Sequence, residues 1–384
     1  MPKQPEPSWH DGLRGLRAEE FDSLRQLLET VFWPGIVEKY PHCYNLGNAE
    51  NLRVVVEDGR VISHVGAIQR NFTIFGCTVR VASLGGVATY PEHRAKGHAT
   101  RLFEDNLRKF RADGVDFALV SGYRKMYHRF GCRYVGKDWR FTLSAQSAAA
   151  LDEPALDLVA ATPEDAALLA EIYRREPVRW LRPVADYRLA MAGYVMNRPA
   201  KFFLVREGQA PRGYLILLRS RRDPSEPRGE IGEFAGERKA IVGCLGELVA
   251  REGLEELSLH VSGWDGPTRE LLCARGLAPS PANSSGTVMI VNFVQFMERM
   301  RPYFEELLGL REARGLVFAQ DGGRMVFAYG ADQVVAQNAG EAAQVIFGTL
   351  EGAEERLLRE GGRAGEVLRK IFPLPAPWYG INYV

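Results

Sequence analysis

Along the chain, stretches with apolar residues at helical spacing and stretches with apolar residues at every second position follow each other in a definite order. This order limits the folds that the chain can adopt. A short strand from Leu13 precedes a helix with apolar residues at helical spacing, and period-two segments then form two hairpins. The first hairpin joins Arg53–Glu57 to Arg60–Ile68 at Asp58-Gly59, and the second joins Asn71–Phe75 to Thr78–Thr89 near Gly76. An amphipathic helix after Pro91 and a buried strand, Val115–Val120, complete the order. This order predicts a mixed sheet covered by helices.

The same order begins again roughly 145 residues further along, which indicates an internal repeat. A small and polar stretch, Ser144–Pro154, reads as a linker, and a strand at Leu156–Ala161 with a capped helix start at Thr162 follows it. The two copies share the order of elements and no evident sequence identity. From Thr287 the pattern differs again. We therefore predict an α+β protein of three domains, with boundaries at 1–147, 148–286 and 287–384.

Composition excludes several classes of protein. The chain has 49 Lys plus Arg against 48 Asp plus Glu, a net charge of +1, which is too balanced for a protein devoted to nucleic acid or anionic membranes. Its five cysteines form no C-x-x-C pair, so neither a disulfide framework nor a zinc knuckle is indicated. His64, His93 and His98 lack the spacing of metal ligands, so no metal is predicted. We found no signal peptide or membrane span and expect a cytoplasmic protein without nucleic-acid or membrane partners.

The most informative stretch runs from Leu84 to Thr100, where a strand ends, a loop follows and a helix begins. The loop contains Arg94-x-x-Gly97-x-Ala99. A helix start leaves main-chain N–H groups unpaired, and small residues let a phosphate approach them. Six basic and two acidic residues lie between Arg94 and Arg111. These features predict an anion site; the alternative is that Gly97 relieves a tight turn and the basic residues coat a solvated face.

This loop, the strand before it, and the helix and strand after it resemble the acetyl-CoA site of the GNAT N-acetyltransferase superfamily. The resemblance implies acetyl-CoA as co-substrate. It places Val87 and Thr89 beside the pantetheine arm, and it adds Ala88 as a cofactor-binding residue, with main-chain N–H groups near Val87 and Ala88 stabilising the oxyanion. It places the following residues around the pyrophosphate of coenzyme A: Arg94, Lys96, Gly97, His98, Ala99 and Thr100.

The segment Met126–Cys132 resembles the Y-x-x-F-G segment of the same superfamily. The resemblance implies that Tyr127 protonates the departing thiolate, which leaves more readily when a positioned acid supplies a proton. The alternative is that Tyr127 is a packing aromatic before a turn at Gly131. A second alternative is transfer through a cysteine, for which Cys132 lies nearest in the sequence.

The layout of the whole chain resembles that of the Eis (enhanced intracellular survival) acetyltransferases. The resemblance implies a C-terminal sterol-carrier-protein-like α/β domain, a hexameric homo-oligomer, and acceptors that are amines, including aminoglycosides and lysine side chains. The second copy carries Ala235–Ala240 in place of R-x-x-G-x-A, so we expect it to bind no coenzyme A. The resemblance also assigns the general base to the terminal carboxylate of Val384. Its tail, rich in proline and aromatic residues, is expected to dock, either to supply this base or as a purely structural latch.

The acceptor site is harder to predict. The loop after the first helix carries Trp33, Glu38, Tyr40 and Tyr44, and in GNAT folds this region borders the acceptor. Aromatic walls with acids suit a polycation; the alternative is that Trp33 caps the helix end against the core. The function predicted is an acetyl-CoA-dependent N-acetyltransferase acting on a primary amine. The alternative is a non-catalytic protein that binds an apolar ligand in its C-terminal domain.

Overall fold

The computed structural model describes residues 13–122, 124–151, 153 and 155–383. Within these residues the strands form two seven-stranded mixed sheets and one three-stranded antiparallel sheet. None of the helices in this part of the chain combines the length and apolar character needed to cross a membrane.

The strands, in chain order, are β1 (Arg14–Gly15), β2 (Leu52–Glu57), β3 (Arg60–Ile74), β4 (Cys77–Thr89), β5 (Phe117–Val120), β6 (Asp138–Ser144), β7 (Leu156–Ala160), β8 (Val178–Leu181), β9 (Ala200–Glu207), β10 (Ala210–Leu218), β11 (Arg228–Gly236), β12 (Glu256–Val261), β13 (Ser280–Ala282), β14 (Thr287–Ile290), β15 (Leu316–Asp321), β16 (Arg324–Tyr329) and β17 (Asp332–Ala336).

The α-helices are α1 (Phe21–Val31), α2 (Ile36–Lys39), α3 (His98–Ala112), α4 (Lys125–Arg129), α5 (Ala145–Ala149), α6 (Ala166–Tyr173), α7 (Val184–Ala192), α8 (Arg238–Gly243), α9 (Leu245–Arg251), α10 (Gly266–Ala274), α11 (Phe293–Arg299), α12 (Arg301–Leu308), α13 (Leu310–Arg314), α14 (Ala339–Phe347), α15 (Ala353–Glu360) and α16 (Gly362–Ile371).

The hairpins of the first sheet follow from local turn chemistry. Asp58 and Gly59 both have positive φ, at 50° and 74°, as a two-residue turn between right-handed strands requires. The two strands predicted at Arg60–Ile68 and Asn71–Phe75 are one continuous strand, β3, which pairs with β4 through Gln69 and Arg70 without a break. The prediction of two separate strands was therefore wrong, since Gln69 and Arg70 continue the ladder.

The two halves of the chain repeat one strand order. The first sheet runs β1-β2-β3-β4-β5-β14, with β8 added beside β3, and the second runs β7-β9-β10-β11-β12-β6-β13. In each sheet one pair of neighbours is parallel, β4 with β5 and β11 with β12. The structure is therefore consistent with two GNAT-like halves in tandem, as the internal repeat predicted.

The halves exchange strands. β6 directly follows the first half in the chain but pairs with β12 of the second sheet, and β14 follows the second half but pairs with β5 of the first. The predicted boundaries at 147/148 and 286/287 therefore do not coincide with the division into sheets. The first part of the stretch predicted as a linker, residues 144–149, is also structured: the Ser144 hydroxyl accepts from the Ser147 N–H and caps α5.

The two helices that flank the first sheet cover opposite faces. Apolar residues of α1 pack with Val54, Val61 and Ile68, whereas those of α3 pack with the alternate residues Val55 and Ile62. The ends of β4 and β5 therefore lie between these two helical layers.

The C-terminal segment contains the three-stranded sheet β15–β17 and helices α11–α16. Its interior contains Phe293, Phe304 and Phe327, all fully buried, and the rings of Phe293 and Phe327 lie 4.8 Å apart. Its likeness to a sterol-carrier protein stays a prediction.

Candidate active site

The site begins where the ladder between β4 and β5 stops. These strands pair only from Val81 to Leu84 on β4, yet β4 continues to Thr89. Over Gly85–Thr89 the opposite edge of β4 still pairs with β3, with a register shift between His64 and Gly66. Within the described residues, no strand continues the ladder on the β5 side. An extended ligand can bind such an edge through main-chain hydrogen bonds.

The loop after β4 exposes the first turn of α3. Gly97 caps the helix with φ at 81°, and no side chain caps it. A Cβ at Gly97 would meet no atom within 4 Å, so the approach to the first main-chain N–H groups of α3 is open. Ala95 also has positive φ, at 61°. The helix start can therefore accept an anion, which its dipole also favours.

A cleft of about 790 Å³ lies at this helix start. Most of the residues predicted to contact coenzyme A line it: Val87, Thr89, Arg94, Gly97, His98, Ala99 and Thr100. Arg94 donates through Nε to the Thr89 carbonyl at 3.2 Å. Two predicted residues are not brought to this lining: Ala88 is buried in the core beneath α1, and Lys96 is exposed in the loop.

Arg124 is a lining residue that the sequence analysis missed. It is exposed at the cleft and precedes α4, where its carbonyl accepts the Tyr127 N–H at 2.9 Å. The ends of β4 and β5 are separated by a gap where their ladder stops. The cleft thus receives positive charge from Arg94, in the loop after β4, and from Arg124, beyond β5 on the other side of this gap. No motif marks Arg124, because the fold alone brings it to the cleft.

Tyr127 lies on α4, three residues after Arg124, and is not among the residues that line the cleft. It has 4% of its surface exposed, and its ring lies 5.7 Å from that of Phe103. Burial raises the pKa of its hydroxyl, and the nearby Arg124 guanidinium partly opposes this rise. The side chain therefore packs, as the alternative predicted, and also keeps its proton at neutral pH, as a general acid must.

The buried cysteine and histidine near the gap are poorly suited to act as nucleophiles or bases. Cys132 has no exposed surface, and burial raises the pKa of its thiol to about 12. Since the thiolate is the reactive form, the alternative of transfer through Cys132 is disfavoured. The His64 Nδ1–H donates to the Gly86 carbonyl at 2.7 Å, and burial lowers the pKa of this ring to about 4.

The loop predicted to border the acceptor is not an acidic wall. Tyr40 and Tyr44 are buried, and Glu38 forms an ion pair with Arg25. The Arg221 guanidinium lies over the Trp33 ring, 4.3 Å from its centroid. The four residues therefore do not form an open acidic wall, because Arg25 pairs with the acid and the Arg221 guanidinium lies over the half-buried Trp33 ring. A surface for a polycation at this loop stays a prediction.

The C-terminal tail docks, as its apolar composition predicted. His42 Nε2–H donates to the Tyr383 carbonyl at 2.9 Å, and the rings of Tyr40 and Tyr383 lie 6.2 Å apart. Val384, the predicted source of the general base, lies outside the described residues. Tyr383, the residue before Val384, lies on the α1–α2 side of the first sheet, across from α3.

Among the described residues of the second half, no loop equivalent to the anion loop lies between β11 and α8. Its helix α8 begins at Arg238, two residues after β11 ends. The Glu176 carboxylate accepts the Gly236 N–H at 2.8 Å and forms a bidentate pair with Arg238, at 2.8 and 2.6 Å. A carboxylate thus lies at the position where an anion-binding site would need open N–H groups, which supports the prediction that this half binds no coenzyme A.

Comparison with known proteins gives the class of the first half. A family model described as an acetyltransferase (GNAT) domain matches residues 13–135. The comparison with curated protein sequences found no match.

Solved structures share the fold of nearly the whole chain. A GCN5-related N-acetyltransferase from Kribbella flavida aligns with a TM-score of 0.67 and 15% identity over 97% of this chain and 98% of its own. A GCN5-related N-acetyltransferase from Anabaena variabilis gives 0.64 and 16%, over 96% and 98%. Eis1 from Mycobacterium abscessus gives 0.63 and 18%, over 94% and 96%.

Together with the cleft, these findings identify residues 13–135 as a GNAT acetyltransferase domain. The GNAT resemblance predicted from the loop is confirmed for this part of the chain. At these low identities, the likeness across the whole chain shows a shared fold.

Proposed function

We propose that the protein transfers an acetyl group from acetyl-CoA to a primary amine by direct attack. The observation that carries this proposal is the cleft where the unpaired edge of β4 meets the open start of α3. A buried, protonated Tyr127 three residues after Arg124, which lines this cleft, supports it. A binding scaffold would need none of the three together.

In the proposed mechanism, the first half binds the donor through main-chain groups. The N–H groups at the start of α3 hold the diphosphate, with Arg94 and Arg124 supplying positive charge. The pantetheine arm lies along the free edge of Gly85–Thr89, between β4 and the end of β5. This places the thioester in the gap, and main-chain N–H groups near Val87 and Ala88 stabilise the oxyanion.

The chemical step then needs one base and one acid. The acceptor loses a proton and its nitrogen attacks the thioester carbonyl; the C–N bond forms and the C–S bond breaks. Tyr127 gives its hydroxyl proton to the departing sulfur and later recovers a proton from solvent. The assignment of the base to the terminal carboxylate of Val384 stays a prediction, as does the assembly into a hexamer.

The alternative of an apolar-ligand carrier finds less support. Phenylalanine side chains in mutual contact fill the interior of the C-terminal segment, where such a ligand would have to lie. We therefore propose only the transferase.

Thiol release tests the proposal. The purified protein is mixed with acetyl-CoA and a panel of amines: aminoglycosides, polyamines, lysine peptides and small primary amines. We expect at least one amine to release coenzyme A and to gain an acetyl group by mass spectrometry. Folded protein that binds acetyl-CoA yet releases no thiol with any amine would contradict it. Substituting longer acyl groups on the donor tests the restriction to acetyl.

A further inference from the structure

The second half contains a gap between strands that corresponds to the gap in the first half. The parallel ladder of β11 with β12 ends at the pair Ile231 and Leu259, whereas β11 continues to Gly236. In the first half the ladder ends at Leu84 and Val120. Gly232 is therefore the counterpart of Gly85, the first residue of the free edge.

This second gap is filled by the chain itself. Trp378, in the C-terminal tail, donates through its indole Nε1–H to the Gly232 carbonyl at 2.6 Å. Its ring stacks on His260, with centroids 3.8 Å apart. The Trp378 carbonyl accepts the indole N–H of Trp180 at 2.7 Å, which fixes the direction of the main chain.

The residues after Trp378 lead from this gap to the first half. Tyr379 is fully buried. Its ring packs against Gly286, just before β14, so closely that a Cβ added to this glycine would lie 3.3 Å from the ring. The Ile381 N–H donates to Glu233 at 3.4 Å. The chain then reaches His42, whose ring holds the Tyr383 carbonyl. Adjacent side chains, Trp378 and Tyr379, thus enter opposite halves.

We propose that Trp378 is a positioning residue for the acceptor site of the first half. Seated in the gap that corresponds to the pantetheine gap, it sets the register of the tail so that Tyr383 packs against the α1–α2 side of the active site. This inference rests on the proposed function. It also gives the second half a role: its gap binds a segment of its own chain in place of a donor molecule.

The geometry favours Trp378 over the other tail residues as the anchor. Two hydrogen bonds and one stacked ring hold a single residue, and each involves a group of the second half or of β8. The Glu233 contact at 3.4 Å is longer. Removing the indole deletes the bond to Gly232 and the stacked ring and so loosens the tail, while the buried bond from the Ser284 hydroxyl to the Pro377 carbonyl, at 3.0 Å, is kept. The helix start at Gly97 is left untouched.

The test uses Trp378→Gly in the full chain, with free indole added to refill the space. We expect the acetyl-CoA dissociation constant to change less than about twofold, whereas the KM for the amine rises about tenfold, since only acceptor binding is lost. Indole at millimolar concentration should recover part of this loss. Hydrogen exchange should show faster exchange at the amides of Ile381 and Tyr383, slowed again by indole.

Two further variants sharpen the result. Trp378→Phe keeps a ring on His260 but loses the N–H to Gly232, so we expect an intermediate KM. The control is Trp139→Phe. Trp139 is a partly buried tryptophan on β6 that packs against the core of the second half and not against the tail. This variant should leave the KM for the amine and the hydrogen exchange of the tail unchanged.

The inference is overturned if Trp378→Gly frees the tail without raising the KM for the amine, or if indole restores neither exchange nor KM. An equal loss of acetyl-CoA affinity and of amine affinity would also overturn it, since that pattern reports general damage. Failure of the proposed function looks different: the unmodified protein would release no thiol with any amine, while the exchange measurement would still report whether Trp378 anchors the tail.

Discussion

Tyr127 and Arg124 show how a fold prepares single side chains for chemistry. Burial keeps the Tyr127 proton in place, and Arg124, one turn earlier, adds positive charge at the cleft. The sequence identified Tyr127 because a tyrosine before Phe130-Gly131 is a recognisable pattern. Arg124 could not be found in that way, since an arginine in a short connection carries no signal until the chain places it opposite Arg94.

Tyr127→Phe tests the proton donor. It removes one hydroxyl from a packed ring, so the fold and the acetyl-CoA affinity should be retained. We expect kcat to fall about a hundredfold, the usual contribution of a positioned general acid. Steady-state thiol release and a separate titration with acetyl-CoA measure the two quantities.

The control for this variant is Tyr134→Phe, which changes an exposed tyrosine a few residues away. It should leave kcat unchanged. If Tyr127→Phe turns over at the normal rate, the hydroxyl has only a packing role and another acid must be sought.

At the scale of elements, turns were the most predictable feature and long-range pairing the least. Asp58-Gly59 predicted its hairpin because the requirement for positive φ is local. The strand β8 was not predicted, since four residues, Val178–Leu181, pair with β3 only after both halves come together. The anion loop was found because its function, like a turn, depends on neighbouring residues in the chain.

Gly97→Ala tests the anion loop. The new Cβ would meet no neighbour, but the left-handed backbone there costs a non-glycine residue about 1 kcal/mol, and the methyl group lies where the diphosphate is proposed to bind. We expect the acetyl-CoA dissociation constant to rise about tenfold and stability to fall slightly. Isothermal titration and thermal unfolding give both values.

Gly208→Ala provides the matched control. Gly208 also has positive φ and open space around it, but it lies in the β9–β10 turn of the second half. It should lose a similar amount of stability with no change in acetyl-CoA affinity. Equal affinity in both variants would show that the loop at Gly97 does not bind the donor.

At the scale of the whole molecule, one buried ion pair joins the two sheets. Arg182 directly follows β8 of the first sheet and contacts Glu233 on β11 at 2.9 Å, with side-chain exposures of 1% and 6%. The Tyr214 hydroxyl also donates to Glu233, at 2.6 Å. The ion pair therefore lies where β8, which pairs with β3 of the first sheet, meets β11 of the second sheet.

Arg182→Met tests this contact. It leaves the Glu233 carboxylate buried without its cation, so we expect the free energy of unfolding to fall by about 3–5 kcal/mol. Adding Glu233→Gln to this variant should recover part of the loss by removing the unpaired charge. Denaturant titrations measure both. The exposed pair of Arg175 and Glu171 gives the comparison, since Arg175→Met should change stability little; equal losses at the two sites would contradict the argument.

The division of the chain into domains was the least predictable feature. No local feature of β6 or β14 indicates which sheet the strand joins, because both strands are short and their partners lie more than a hundred residues away. Sequence analysis could predict the repeated order of elements but not the exchange of the last strands.

A fragment of residues 1–147 tests the exchange. It would retain β6 without β12 and would lack β14, so we expect no cooperative thermal transition and poor dispersion in its amide spectrum. Joining residues 284–292 to a fragment that ends at residue 136 should recover cooperative unfolding, since this restores the partner of β5. A sharply melting fragment of residues 1–147 would show that the exchange is not needed for folding.

The exchanged strand also has a consequence during synthesis. The edge of β5 stays unpaired until β14 is synthesised, and the last residue of β14, Ile290, is made about 170 residues after Val120. At the usual 5–20 residues per second, the nascent chain exposes that edge for roughly 10–35 s. We therefore expect chaperones at the ribosome to bind the newly synthesised first half. The rate of translation between Val120 and Ile290 should influence how much of the protein aggregates.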